Sequence, residues 1–109
     1  MSSITTHVLD TVTGRPGAGI RVHLDRRQGT GWVPVATSET DADGRCHLAQ
    51  DAVAPAVYRI TFETGAYLIA AGREGIYPEI SITFTCAGDP HYHLPLLLSN
   101  NSYTTYRGS

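Results

Sequence analysis

Residues 91–98 read HYHLPLLL, and the alternation of their side chains is the strongest structural signal in the chain. A period of two places successive side chains on opposite faces of a β-strand. One face is apolar or aromatic throughout and consists of Tyr92, Leu94, Leu96 and Leu98. The other face mixes imidazole with apolar groups and consists of His91, His93, Pro95 and Leu97. A strand that is apolar on both faces is covered on both faces. In a chain of 109 residues, we expect another subunit to supply the second cover.

The same period of two recurs along the chain and predicts further strands. These lie at 4–11, 20–26, 32–39, 46–48, 57–64, 79–86 and 103–107, separated by turns rich in Gly, Asp, Asn or Pro. Pro34 predicts an edge or a bulge in its strand, and one short helix is predicted within 65–73, ending at Gly72. The pattern indicates an all-β fold, an antiparallel β-sandwich of about eight strands with one short helix. We expect it to form a single domain over residues 1–109.

The residue composition and net charge indicate which classes of binding partner the protein has. The chain has 41% hydrophobic and 17% charged residues and a net charge of −2, which is typical of an ordinary globular protein. Its eight basic residues are all arginine, so no lysine can form a Schiff base. With no basic excess, we expect neither nucleic-acid binding nor attachment to a membrane surface.

The two cysteines, Cys46 and Cys86, lack the spacing of a zinc motif, and we expect both to be reduced and buried. Apolar surroundings raise the pKa of a thiol, which argues against a cysteine nucleophile. A secretory signal has a basic segment followed by an apolar one, and the N-terminal residues show neither segment. A cytoplasmic protein is therefore predicted.

His91 and His93 project from one face of one strand, a pattern that can present two ligands to zinc. His7 or His47 is then the candidate third ligand. The alternative interpretation is a pair of histidines at a partly wet interface. No second ligand pair with metal spacing occurs, so we predict no metal site.

Two stretches, ITTHVLDTVTGRPGAG at 4–19 and HYHLPLLLSNNSYTTYRGS at 91–109, resemble the signatures of a known enzyme family. That family is the 5-hydroxyisourate hydrolases, the transthyretin-related enzymes of urate breakdown. The resemblance covers essentially the whole chain, and the terminal Tyr-Arg-Gly-Ser is typical of the enzymes rather than of transthyretin itself. One turn differs, because Ser99–Ser102 replaces the family's usual Ser-Pro, aromatic residue and Gly.

The resemblance implies a homotetramer, a dimer of dimers, with active sites in a channel where two dimers meet. It implies these catalytic residues: His7, Arg45, His93, Tyr106, Arg107 and Ser109. The substrate channel is then lined by Leu9, His91, Pro95, Leu97, Thr104 and Gly108.

The implied reaction is hydrolysis of a cyclic amide of 5-hydroxyisourate, which opens the six-membered ring without a cofactor. Either His7 or His93 acts as the general base, and Arg45 keeps that base neutral. Arg107 or the Tyr106 hydroxyl then stabilises the oxyanion. Two alternatives belong to other classes, namely a transthyretin-like carrier of an aromatic ligand and a zinc protein. The channel histidines and arginines argue against the carrier, since an apolar ligand does not require them.

Overall fold

A computed structural model describes residues 3–49 and 54–109, which form nine strands and one helix. The elements are β1 Ser3–Asp10, β2 Arg15–Pro16, β3 Arg21–Gln28, β4 Gly31–Glu39, β5 Arg45–Ala49, β6 Ala56–Phe62, α1 Thr64–Ala70, β7 Ile80–Cys86, β8 His91–Leu98 and β9 Tyr103–Thr105. The predicted domain, residues 1–109, also includes residues 1–2 and 50–53, which lie outside the described part.

The strands form two sheets packed face to face, as the predicted sandwich requires. One sheet has the order β4-β3-β6-β7, with every pair antiparallel. In the other, β1 pairs with β8 on one side and with β2 and β5 on the other, and β9 continues from β8. The β1–β8 pair is parallel, unlike the antiparallel pairing expected throughout. These strands are far apart in the chain, so no tight turn forces them to run in opposite directions.

Alternation along each strand builds the core between the sheets, as predicted. Val8 on β1 is fully buried, whereas its neighbours His7 and Leu9 are only half-buried. The predicted inner residues of β8 are also in the core, which consists of Ile4, Val8, Ile20, Val22, Leu24, Cys46, Leu48, Tyr58, Ile60, Phe62, Ile80, Cys86, Tyr92, Leu94, Leu96 and Leu98. Both cysteines are free and buried, and burial raises the pKa of each thiol, as expected.

The predicted turns end the strands where the sequence indicates. Pro34 lies on β4, at the edge of its sheet, and the β3–β4 register shifts beside it. The helix stops before Gly72, whose φ of +70° favours glycine. Strand β2 lies within the Gly- and Pro-rich segment that was expected to be a loop only. No helix in 3–49 or 54–109 is long and apolar enough to cross a bilayer.

A buried ion pair joins the segment after α1 to the end of β1, beside the turn between β8 and β9. The fully buried Asp10 accepts hydrogen bonds from Arg73 and from the Tyr67 hydroxyl. Burial alone raises the pKa of Asp10, but these hydrogen bonds outweigh it and hold the pKa below its usual value. Arg73 Nε also donates to Asn100 Oδ1 at 2.9 Å, and the backbone N–H of Ile76 donates to Asn101 Oδ1 at 3.1 Å. The divergent turn is therefore held by its own asparagine side chains.

Candidate active site

Three neighbouring strands bring the predicted histidines and Arg45 onto the outer face of the five-stranded sheet. His7 on β1 is the register partner of Arg45 on β5. On the other side of β1, His7 pairs with Pro95 and Thr5 pairs with His93. Residues that are far apart in sequence thus become neighbours in the sheet.

Two adjoining depressions lie on this face and share His93 and Ser109. We call the first the cleft; its volume is about 460 Å³, and it is lined by His7, Leu9, His93, Pro95, Leu97, Tyr106, Arg107, Gly108 and Ser109. We call the second the side pocket; its volume is about 270 Å³, and it is lined by Thr5, Thr6, Arg45, Cys46, His47, His91, His93 and Ser109. Of these two depressions, only the cleft has the size usual for small-molecule sites.

A larger groove of about 600 Å³ lies beside α1, away from this face. Its lining is mostly apolar, and its charged members are Arg73 and Glu74. Arg73 is already engaged by Asp10, and no histidine lines the groove. Among the lining residues that the structure describes, Glu74 is the only carboxylate and no histidine accompanies it, so the histidine-lined cleft is the better candidate for chemistry.

The His93 ring is oriented by a hydroxyl and surrounded by positive charge. Its Nδ1 is 2.7 Å from the Oγ1 of Thr5, a residue only 8% exposed. This contact occupies Nδ1 and leaves Nε2 for other partners. Burial lowers the pKa of His93, and repulsion from His91 and His7 when they are protonated, and from Arg45, lowers it further. A neutral imidazole is thereby favoured.

His7 is held by the turn that carries Arg45. Its Nε2 donates to the carbonyl oxygen of Asp43 at 2.9 Å, which leaves Nδ1 of the neutral ring as an acceptor. Asp41 Oδ1 accepts from the backbone N–H groups of Asp43 and Arg45, both at 2.9 Å. Gly44 has a φ of +76°, and a Cβ there would collide with the Val8 carbonyl oxygen. The turn therefore has one well-defined shape, which places Arg45 beside His7.

The last four residues close one side of the cleft. Strand β9 ends at Thr105, earlier than the predicted 103–107, because Tyr106 and Arg107 leave the ladder. The chain returns to β8 at Gly108, whose N–H donates to the His93 carbonyl oxygen at 2.7 Å. Gly108 also packs against Pro95, which is buried. Part of the expected second cover of β8 is thus the chain's own tail.

The predicted site residues mostly converge, with three qualifications. Thr104 is exposed and lines neither depression. Arg107 lines the cleft, but its guanidinium group is engaged elsewhere: it pairs with Asp89 at 3.1 Å and lies 4.4 Å from the centre of the Tyr92 ring. His91 lies in the side pocket rather than the cleft.

Several contacts to these residues were not predicted. Thr5 contacts His93, and its position two residues before His7 places it on the same strand face, so alternation contains that signal. His47 lines the side pocket with Arg45. Nothing in the sequence indicates that Asp89 pairs with Arg107, since that contact depends on the path of the tail.

The histidine pair considered for zinc is organised by hydroxyl groups. The rings of His91 and His93 stack with centroids 6.2 Å apart. His91 Nδ1 is 2.5 Å from Ser3 Oγ, as His93 Nδ1 is bound to Thr5. Among the described residues, no group of three or more His, Cys, Asp or Glu side chains is arranged to hold a metal ion.

Comparison with known proteins identifies close relatives. The 5-hydroxyisourate hydrolase of Mus musculus is 42% identical, and the match covers 99% of this chain and 96% of that protein. The Salmonella dublin enzyme of the same name is 40% identical over 97% of this chain and 80% of its own. The solved structure of the Klebsiella pneumoniae 5-hydroxyisourate hydrolase has a TM-score of 0.90 at 38% identity, with both chains covered completely.

The same fold also occurs in a binding protein. Sea bream transthyretin, solved in complex with thyroxine, has a TM-score of 0.91 at 31% identity, covering 96% of this chain and 93% of that one. A model of the HIUase/Transthyretin family matches residues 4–108, from the first strand to the terminal motif. On the strength of this match and of the relatives that share it, the chain belongs to the HIUase/Transthyretin family.

Proposed function

We propose that this protein is a 5-hydroxyisourate hydrolase acting in urate degradation. The observation that carries the proposal is the cleft itself, where two histidines from separate strands meet the terminal Tyr-Arg-Gly-Ser, with Arg45 directly beside His7. The relatives of that name, at about 40% identity over nearly the whole chain, support the same reaction.

The general base is one of the two cleft histidines, and the surroundings of His93 suit it best. Its pKa is lowered, so the imidazole is neutral near pH 7 and can accept a proton. With Nδ1 bound to Thr5, its Nε2 is the atom that takes the proton from water. His7 is then placed to orient the water or to protonate the leaving nitrogen.

The proposed reaction is a hydrolysis with balanced proton transfers. Nε2 of His93 removes one proton from water as the oxygen adds to the carbonyl carbon of the cyclic amide. The carbonyl oxygen becomes an oxyanion, and its collapse breaks the C–N bond. The proton taken by His93 is returned to the departing nitrogen, and the carboxylic acid that forms releases its own proton to solvent, so the product is a ring-opened carboxylate and the enzyme is unchanged.

The developing negative charge requires donors that are already in place. Arg45 supplies a fixed positive charge beside His7. The Tyr106 hydroxyl and Arg107 are the candidate donors from the tail, and Tyr106 lines the cleft with 54% of its surface exposed. Removing one such donor typically costs about 3 kcal/mol of transition-state stabilisation. Ser109 and Gly108 complete the wall of the cleft.

The working assembly is proposed to be a homotetramer, a dimer of dimers, with the cleft facing another subunit. Leu9 and Leu97 support this, because they remain half-buried on the outer face of the sheet, beside the histidines. We further propose a cytoplasmic location and no cofactor. The two free cysteines suit a reducing compartment.

A carrier of a small aromatic ligand is the second candidate, supported by the likeness to thyroxine-bound transthyretin. The two functions are separated by generating 5-hydroxyisourate from urate in situ and adding chelator-treated protein. The hydrolase accelerates decay of this intermediate at catalytic concentrations. A carrier binds ligand stoichiometrically and leaves the rate of decay unchanged, and a metal requirement appears as activity restored only by zinc.

A further inference from the structure

Arg107 lines the cleft, but its guanidinium group is directed away from the cleft histidines, toward the core residue Tyr92. Gly108 pairs with His93 in the same register that joins Thr105 to Leu96. Tyr106 and Arg107 form no bridges of their own, but the register is the same before and after them, and it places Arg107 opposite Leu94, whose side chain belongs to the core face. Tyr106 and Gly108 fall opposite Pro95 and His93, on the outer face.

The contacts of the guanidinium group agree with this placement. Arg107 Nη2 donates to Asp89 Oδ2 at 3.1 Å and to the carbonyl oxygen of His91 at 3.2 Å. The guanidinium carbon lies 4.4 Å from the centre of the ring of Tyr92, a core residue only 4% exposed. Arg107 therefore reaches over the end of the core.

Hydrogen bonds that do not involve Arg107 organise the site that its guanidinium group contacts. The Tyr92 hydroxyl accepts hydrogen bonds from the backbone N–H groups of Ala87 and Asp89, at 2.7 and 3.4 Å. These bonds hold the turn before β8 against the aromatic ring. Asp89 and the face of Tyr92 thus present a carboxylate and a π surface together, both of which attract a guanidinium group.

The next residue of the tail contacts His93 directly. A Cβ on Gly108 would lie 2.8 Å from His93 Cδ2 and 3.4 Å from Pro95 Cγ, so Gly108 is packed flat against the imidazole. Thr5 holds the same ring at Nδ1. The tail consequently limits the rotation of His93, and it places Ser109 where the cleft and the side pocket meet.

We propose that Arg107 is a positioning residue. Together with Asp89 and Tyr92 it forms a tail latch, which seats Gly108 against His93 and delivers Ser109 to the cleft. The role of the latch rests on the proposed function. In this arrangement Tyr106, rather than Arg107, donates the hydrogen bond to the oxyanion. Both charged partners of the latch are about half exposed, so its effect is modest and sensitive to salt.

The test is a double-mutant cycle with Asp89→Ala, Arg107→Ala and the double variant, together with Asp89→Glu. We expect Asp89→Ala to lower kcat about two- to five-fold, with KM and Tm unchanged, and Asp89→Glu to restore kcat. The double variant should be no slower than Arg107→Ala alone. Asp25→Asn, which breaks the Arg59 ion pair of equal length on the other sheet, is the matched control and should leave kcat unchanged.

Hydrogen exchange at the Gly108 amide tests the latch without any assay of activity. This amide should be protected in the wild type, because it donates to the His93 carbonyl oxygen, and it should lose protection in Asp89→Ala but not in Asp25→Asn.

An unchanged or higher kcat in Asp89→Ala overturns the proposal. That result is expected instead if Arg107 acts directly on the substrate. An unprotected Gly108 amide in the wild type overturns it too. Wild-type protein without hydrolase activity contradicts the proposed function, and the exchange experiment then still decides the latch.

Discussion

At the scale of single residues, His93 is the group whose surroundings most affect the proposed chemistry. Its ring is fixed at Nδ1 by Thr5 and packed by Gly108. Burial and the nearby positive charges both favour the neutral form. Histidine at position 93 can therefore act as a base at pH values where an exposed histidine is already partly protonated.

We expect the acid limb of the pH profile of kcat/KM to lie below 6.5, the ordinary pKa of histidine. The neutral imidazole is the active form, so activity is lost as pH falls through the pKa of the base, and that pKa is lowered here. Arg45→Gln removes one of the charges that lower it, so the limb should move to higher pH while the maximal rate also falls.

The matched control is Arg21→Gln, since Arg21 is an exposed residue on the other sheet. It should leave the position of the limb unchanged. A limb that stays in place or moves to lower pH in Arg45→Gln contradicts the assignment of His93 as the base.

Single residues were also the scale at which the sequence was most informative. Alternation alone predicted that Val8 and His7 lie on opposite faces of their strand, and the structure buries Val8 and leaves His7 half-buried on the outer face. The same rule would have found Thr5, which lies on the His7 face of β1. It could not find Asp89, because the contact with Arg107 depends on how far the tail follows β8.

At the scale of elements, the fold depends on strand pairings that local patterns do not specify. Period and turn residues locate strands, but β1 and β8 pair across the length of the chain. Neither strand's own pattern indicates that the two pair, or that they pair in parallel. The two-residue β2 pairs with Leu9 and Asp10, and it is too short to show any period.

The tail is the element on which the site depends most closely, and Gly108→Ala tests its packing. The added Cβ would lie 2.8 Å from His93 Cδ2, so either the ring or the tail must shift. We expect kcat to fall at least about ten-fold, since a displacement of about 1 Å can cost a hundred-fold. Gly31→Ala is the control, because its Cβ meets nothing closer than 3.9 Å. Equal activity of the two variants would show that the tail does not constrain His93.

Deleting Arg107–Ser109 should abolish most of the activity while leaving the melting temperature nearly unchanged. The deletion removes part of the wall of the cleft, whereas the residues of the core all lie before residue 99. Turnover and thermal unfolding are measured on the same preparations. A truncated protein with wild-type turnover would mean that the terminal motif is dispensable, and the carrier function would then be favoured.

At the scale of the whole molecule, one domain leaves a partly apolar, histidine-bearing face uncovered. Leu9 and Leu97 extend the cleft beyond the histidines, and a second subunit placed there excludes water from the reacting groups. We therefore expect a tetrameric mass by light scattering at micromolar concentration. Leu97→Arg should weaken the assembly and lower turnover together. An active protein of monomeric mass would contradict this arrangement.

The most direct test of the account is the decay of 5-hydroxyisourate generated from urate in situ. With wild-type, chelator-treated protein, the decay rate should rise in proportion to protein concentration. His93→Ala and His7→Ala should each lower this acceleration about 100-fold, the usual effect of losing a general acid or base. His23→Ala, a histidine paired with Glu63 on the other sheet, should retain it. A decay rate that is the same with and without the wild-type protein would contradict the assignment as a hydrolase.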